Sequence, residues 1–218
     1  MNTASKARML ARAGAVAIAL CSTLALAATA DDDFRAGLKS YQSGDMIGAM
    51  ATLRKPADQG HAAAQALLAE ILDRSDYNEE AVAYYRKAAD QGHPEGEYGL
   101  ATMYASGEGV KKDLGTARAW FTKAAEKGHT GAINTMAQAY IGGGLGLDDK
   151  ARSDPAGLQW IRKAADNSYL PAIEYLAKAY RTGAAGLAVD VKQAEAFEAR
   201  ARTVRGIKAE KGKKGSRT

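Results

Sequence analysis

The sequence predicts an all-α fold, a right-handed α-solenoid of about five helix-turn-helix units, and three observations carry that expectation. A motif recurs at Lys55-Pro56-Ala57-Asp58-Gln59-Gly60, Lys87-Ala88-Ala89-Asp90-Gln91-Gly92, Lys123-Ala124-Ala125-Glu126-Lys127-Gly128 and Lys163-Ala164-Ala165-Asp166-Asn167-Ser168, with starts 32, 36 and 40 residues apart. A period in the thirties marks a stacked helical array, in which each unit buries its apolar face only against its neighbours. The chain is 46% apolar with only four prolines and abundant alanine. No long stretch alternates apolar with polar residues as a half-buried strand would.

Residues 1–30 read as a signal peptide, because Lys6, Arg8 and Arg12 precede an uncharged, Ala-rich run from Ala13 to Ala30. Ala28-Thr29-Ala30 supplies small residues for cleavage, which leaves Asp31 as the new N-terminus. A retained anchor is the rival reading, although the run is short and weakly hydrophobic for a bilayer core of about 30 Å. Cys21 invites a lipoprotein reading, against which stand Leu20 before it and the apolar run that continues through Leu24 and Leu26. Cleavage removes the only cysteine, and with it any disulfide or thiolate. It also lowers the formal net charge from +5 to +2, since three basic residues leave. The expected location is the periplasm or the exterior.

The solenoid is expected over 31–205, with units at about 34–60, 61–92, 93–128, 129–168 and 169–205. The third is the most complete. A first helix from about Glu95 to Ser106 leads through Gly107 and Gly109 to a second helix from about Asp113 to Lys127. Asp113 is placed to cap the second helix, as are Asp45 and Asp190 four residues before Ala49 and Ala194, and Gly128 is placed to close it. Small residues at Ala64, Gly96, Ala132 and Ala172 precede Leu68, Leu100, Met136 and Leu176, then Leu72, Tyr104, Tyr140 and Tyr180, at spacings of four that form one buried helical face. Tyr84, Trp120, Trp160 and Phe197 supply rings from the second helices. The units vary in their loops, shortened near Ser75 to Asn78 and lengthened in the glycine run 142–146.

The unit Leu100-Ala101-x-x-Tyr104-x-x-Gly107-x-Gly109-Val110-x-x-Asp113-x-x-x-Ala117-x-x-Trp120-x-x-Lys123-Ala124-Ala125-x-x-Gly128 resembles a Sel1-like repeat, of the tetratricopeptide-like helical superfamily. The resemblance is strongest over 93–128, good over 61–92 and 129–168, and looser over 34–60 and 169–205. It implies a protein-binding scaffold. Similar proteins include scaffolds for exopolysaccharide secretion, stator-associated motor components and periplasmic regulators of sensor kinases, so the implied role is an adaptor that assembles or regulates a cell-envelope complex. One cysteine-rich branch looks like penicillin-binding or β-lactamase-like proteins, and an enzyme of peptidoglycan or β-lactam chemistry is the alternative. The cysteines of that branch and a Ser-x-x-Lys element are both missing here.

Little else points to chemistry, and no cofactor or metal is expected. His61, His93 and His129 each follow a closing glycine, so they recur one unit apart, roughly 10 Å or more, and read as turn-packing residues instead of shared metal ligands. Asp31, Asp32 and Asp33 read as a solvated, mobile segment. The glycine run lacks the Lys-Ser/Thr of a phosphate-binding loop.

Positions that repeat stack the units, whereas positions that vary are free to read a partner. On the first helices the variable, solvent-facing pairs are Ala66/Glu70, Tyr98/Thr102, Asn134/Gln138 and Glu174/Lys178, each four apart. First helices commonly line the concave face of superhelical repeats. The candidate binding strip is therefore Glu70, Tyr98, Thr102, Asn134, Gln138, Glu174 and Lys178, with Tyr98 foremost because it is an aromatic at an otherwise polar position. Residues 206–218 carry Lys208, Lys211, Lys213, Lys214 and Arg217 against Glu210 alone. They read as a disordered basic tail, either a solubilising segment or a contact to anionic membrane or polysaccharide. Nucleic acid is not an expected partner of an exported protein.

Overall fold

The computed structural model describes residues 29–152 and 154–214, so the segment read as a signal peptide, with Cys21, lies outside them apart from Thr29 and Ala30. Helix α1 covers 29–42. It is followed by α2 (Met46–Asp58), α3 (Ala62–Asp73), α4 (Asn78–Asp90), α5 (Pro94–Ser106), α6 (Leu114–Glu126) and α7 (Thr130–Gly142). A short α8 (Asp149–Arg152) precedes α9 (Pro155–Asp166), α10 (Leu170–Thr182), a 3₁₀ turn (Ala184–Gly186) and α11 (Val191–Lys214). Five helical pairs result, α1/α2, α3/α4, α5/α6, α7/α9 and α10/α11, in the expected order. Among the described residues no helix is long and apolar enough to cross a membrane.

The recurrent motif encodes one device several times over. In the second pair Gly92 donates its N–H to Ala89 O and His93 to Ala88 O, the two bonds that close a helix through a left-handed residue. The same two bonds recur from Gly60 and His61, from Gly128 and His129, and from Ser168 and Tyr169. Gly60, Gly92 and Gly128 hold φ of 92°, 76° and 88°, and Ser168 takes the same region at 62° although it has a Cβ. The motif lysine has its own task. Lys87, Lys123 and Lys163 place Nζ 4.6, 3.7 and 4.6 Å from the ring centres of Tyr84, Trp120 and Trp160. Each ammonium lies over the ring three residues before it while its stem covers apolar surface.

Asp45, Asp113 and Asp190 accept N–H bonds from the first turns of α2, α6 and α11, and Ala49, Ala117 and Ala194 behind them are fully buried. Bonds from the Thr116 and Gly115 backbone hold the Asp113 carboxyl below the usual carboxylate range, the larger part coming from Thr116. The core falls into two clusters. One centres on Leu53, Leu68, Leu72, Leu100 and Met103, the other on Phe121, Met136, Trp160, Ile173 and Leu176. Tyr104 and Trp120 pack against both and join them.

Three expectations are corrected. Asp31 and Asp33 are not a loose acidic end: they lie in α1, where Asp31 meets His61 Nε2 at 2.9 Å and Asp33 meets Lys55 Nζ at 2.7 Å. Ala66, expected at the surface, is 2% exposed, because a side chain this small lets the neighbouring elements close over it. The chain also remains helical beyond Gly206, as far as Lys214, where a disordered tail was expected. Lysine, alanine and glutamate are good helix formers, and extending an existing helix gains one hydrogen bond per residue fixed. Two glycines at about 1 kcal/mol each do not outweigh that.

Candidate functional site

The strip residues stand at the seams between successive first helices, and the seams are built by rings. The residue after each closing position, His61, His93, His129 or Tyr169, is the N-cap of the next first helix. His129 lies flat on Tyr98 of the preceding unit, ring centres 4.4 Å apart at 24°, and Phe121 meets the same tyrosine edge-on at 5.6 Å. His129 Nδ1 accepts the Ala132 N–H at 3.0 Å, and Nε2 lies 2.9 Å from Glu95. Because Nδ1 accepts, the ring proton is assigned to Nε2 and points at the carboxylate. His61 repeats the arrangement with Phe34 at 4.8 Å, the Ala64 N–H at 3.0 Å and Asp31 at 2.9 Å.

His93 departs from it. The positions equivalent to Glu95 and Tyr98 hold Ala63 and Ala66, His93 makes no capping bond, and its Nδ1 is buried without a partner. Burial holds its pKa below the ordinary imidazole value, with Glu95 and Glu97 acting in the opposite direction.

The strip itself is only partly open. Glu70 accepts from Tyr41 Oη at 2.6 Å and from Arg74 at 3.4 Å, and Glu174 accepts from Arg205 at 2.6 Å. Thr102 Oγ1 donates to Tyr98 O at 3.0 Å. Tyr98, Asn134 and Glu174 are half-buried, whereas Gln138 and Lys178 are exposed. Asn134 and Gln138 lie together on α7, beside Tyr169 and the glycine run, and border a cavity of about 330 Å³. Gln138 Oε1 accepts from Tyr169 Oη at 3.0 Å, while Asn134 Oδ1 is buried with no partner.

Sequence reasoning did not find Phe121, Glu95, Tyr169 or the pair Glu97–Lys127. Glu97 is 2% exposed and receives Lys127 Nζ at 2.5 Å, while that ammonium also donates to Gly92 O at 2.8 Å. A signal did exist: Gln65 and Gln91 occupy the same two unit positions and are bonded at 2.7 Å. Among the described residues no three His, Cys, Asp or Glu side chains are grouped to hold a metal ion.

Comparison with protein families places a name on the unit. A model described as Sel1 repeat matches residues 62–93, 94–129 and 135–169, which are the second, third and most of the fourth helical pairs. These three stretches are similar to Sel1 repeats and together span just under half of the chain. Among solved structures, it resembles a Sel1 repeat protein from Oxalobacter formigenes at 28% identity and a TM-score of 0.61, over 79% of this chain and 70% of that one. It also resembles a protective antigen with an SLR fold from uropathogenic Escherichia coli strains, at 26% identity and a TM-score of 0.52. That match covers 80% of this chain and 46% of the antigen, so it spans less than half of that protein. No curated protein matches. Sel1 repeat proteins are protein-interaction scaffolds, and the first and last helical pairs of this chain lie on either side of the matched stretches.

Proposed function

We propose that this chain is a periplasmic adaptor, whose first-helix strip docks a protein partner and so assembles or regulates a cell-envelope complex. The observation that carries the reading is the pair Asn134 and Gln138. They vary between units, share one face of α7, and keep hydrogen-bonding capacity that no described residue uses. The expected signal peptide supports export, and the Sel1 repeats support protein binding. The basic C-terminal residues supply a second, electrostatic contact to anionic membrane or polysaccharide, which is screened over about 8 Å in physiological salt.

A photoreactive residue at Gln138, Lys178 or Tyr98, irradiated in cells, tests the reading, with fully buried Leu100 as the control site. One envelope protein captured from the strip alone is the expected result. Equal labelling from strip and control sites would remove the strip as the docking surface.

A further inference from the structure

We infer that the cavity beside α7 is a subsite for a secondary amide flanked by an apolar side chain, taken from an extended, uncharged peptide segment of the partner. The inference rests on the scaffold reading and names the chemistry of one part of that strip. Asn134 offers a buried carbonyl oxygen without a donor, and Gln138 keeps its Nε2–H₂ free because only its Oε1 is engaged, by Tyr169. A carboxamide carries one acceptor and one donor group whichever way it is turned. The complement of two such groups, four residues apart on one helix face, is another amide. A buried acceptor left without a donor is unfavourable, and a donor from a ligand relieves it.

The remaining walls point the same way. Leu145 supplies an aliphatic surface and Tyr169 a ring, with the backbone of Gly143 and Gly144 between them. None of the lining residues is charged, so a neutral segment fits where an acidic or basic one does not. Leu145 is not a slack loop residue. It holds φ at 48°, a region unfavourable for a residue with a Cβ, and Arg118 Nη1 donates to its carbonyl at 2.8 Å across to α6. The glycine run thus carries a strained residue that the preceding helix pair holds against the cavity. The wall is also specific to the fourth unit, whose spacing is the longest at 40 residues.

The test is a titration of the isotope-labelled full-length chain, with the side-chain amide signals of Asn134 and Gln138 followed by NMR. Two probes are compared, N-acetyl-leucine N-methylamide and N-acetylglucosamine, which present the same amide on a peptide and on a sugar. The leucine diamide is expected to shift both signals saturably. Asn134→Ala and, separately, Leu145→Ala should each weaken that response about tenfold, the size of one lost contact. Circular dichroism confirms that the variants remain folded, and the parent titration stands without them. Silence with both probes, or a response to the sugar alone, overturns the inference. If that happens while Gln138 or Lys178 still crosslinks to one envelope protein, the scaffold reading survives and only the amide subsite falls.

Discussion

The seam between the second and third units and the seam between the third and fourth are built from the same unit positions and reach different solutions. At the later seam His129 has a carboxylate at Nε2, a tyrosine beneath it and a backbone N–H at Nδ1. At the earlier one His93 faces alanine at both partner positions, and Nδ1 bonds to nothing. His61 sides with His129, having Asp31, Phe34 and its own cap. Wherever the carboxylate is present the imidazole caps its helix. Where it is absent, the cap is absent too. The carboxylate fixes the proton on Nε2 and the tilt of the ring, which leaves the Nδ1 lone pair aimed at the helix. Histidine is therefore a conditional cap, and the condition is supplied by the preceding unit.

The largest test of the contrast uses the pair buried beneath these seams. The second unit joins its helices there through neutral Gln65 and Gln91, the third through Glu97 and Lys127. Lys127→Met leaves the Glu97 carboxylate buried without its cation, while the lysine side chain replaced was 40% exposed. The expected loss is about 3 kcal/mol in chemical denaturation. The double variant Glu97→Gln with Lys127→Gln transplants the second unit's solution and should remain within about 1 kcal/mol of the parent, since it leaves no charge unpaired. Equal losses from the single and double variants would show that the cost does not come from an unpaired Glu97 carboxylate.

A smaller effect separates the carboxylate from the ring. Glu95→Ala should release the His129 cap and cost about 1 kcal/mol, the ordinary value of one cap. Ala63→Glu places a carboxylate where His93 lacks one and should raise stability by about 0.5–1 kcal/mol. A side-chain nitrogen shift of His93 toward the Nε2-protonated form would report the new bond directly. Stabilisation without that shift would credit the added charge at the start of α3 instead.

Much of this was legible in the sequence, and the reason is repetition. The helix bounds, the Asp caps, the closing glycines and the buried stripe each recur, so four weak signals add to one strong one. Ala66 misled because periodicity assigns a face to a residue without reporting how closely the next helix approaches. Glu97 and Lys127 went unread because each is an ordinary charged residue alone, and their meaning lies in a contact between two helices. The strip was found by its variability. Variability does not say that Glu70 and Glu174 are already bonded to Tyr41 and Arg205, or that Asn134 is not.

The smallest predicted effect concerns pH and discriminates the two seams most cleanly. Burial lowers the His93 pKa, so the folded state resists the proton more than the unfolded chain does. A depressed base contributes its stability above the unfolded imidazole value of about 6.5, and that stability drains away as pH falls from there toward the folded value. His93 is only partly buried, which holds the slope to a fraction of the ~1.4 kcal/mol per pH unit that one full proton gives. His93→Ala should therefore cost little at pH 7.5, where no capping bond is lost, and should flatten the decline between pH 7 and 5. His129→Ala should do the reverse at pH 7.5 and cost about 1 kcal/mol, because it removes a formed cap. Denaturation midpoints for the two variants at four pH values decide the matter: parallel curves would mean that the alanines beneath His93 leave it no different from its neighbour.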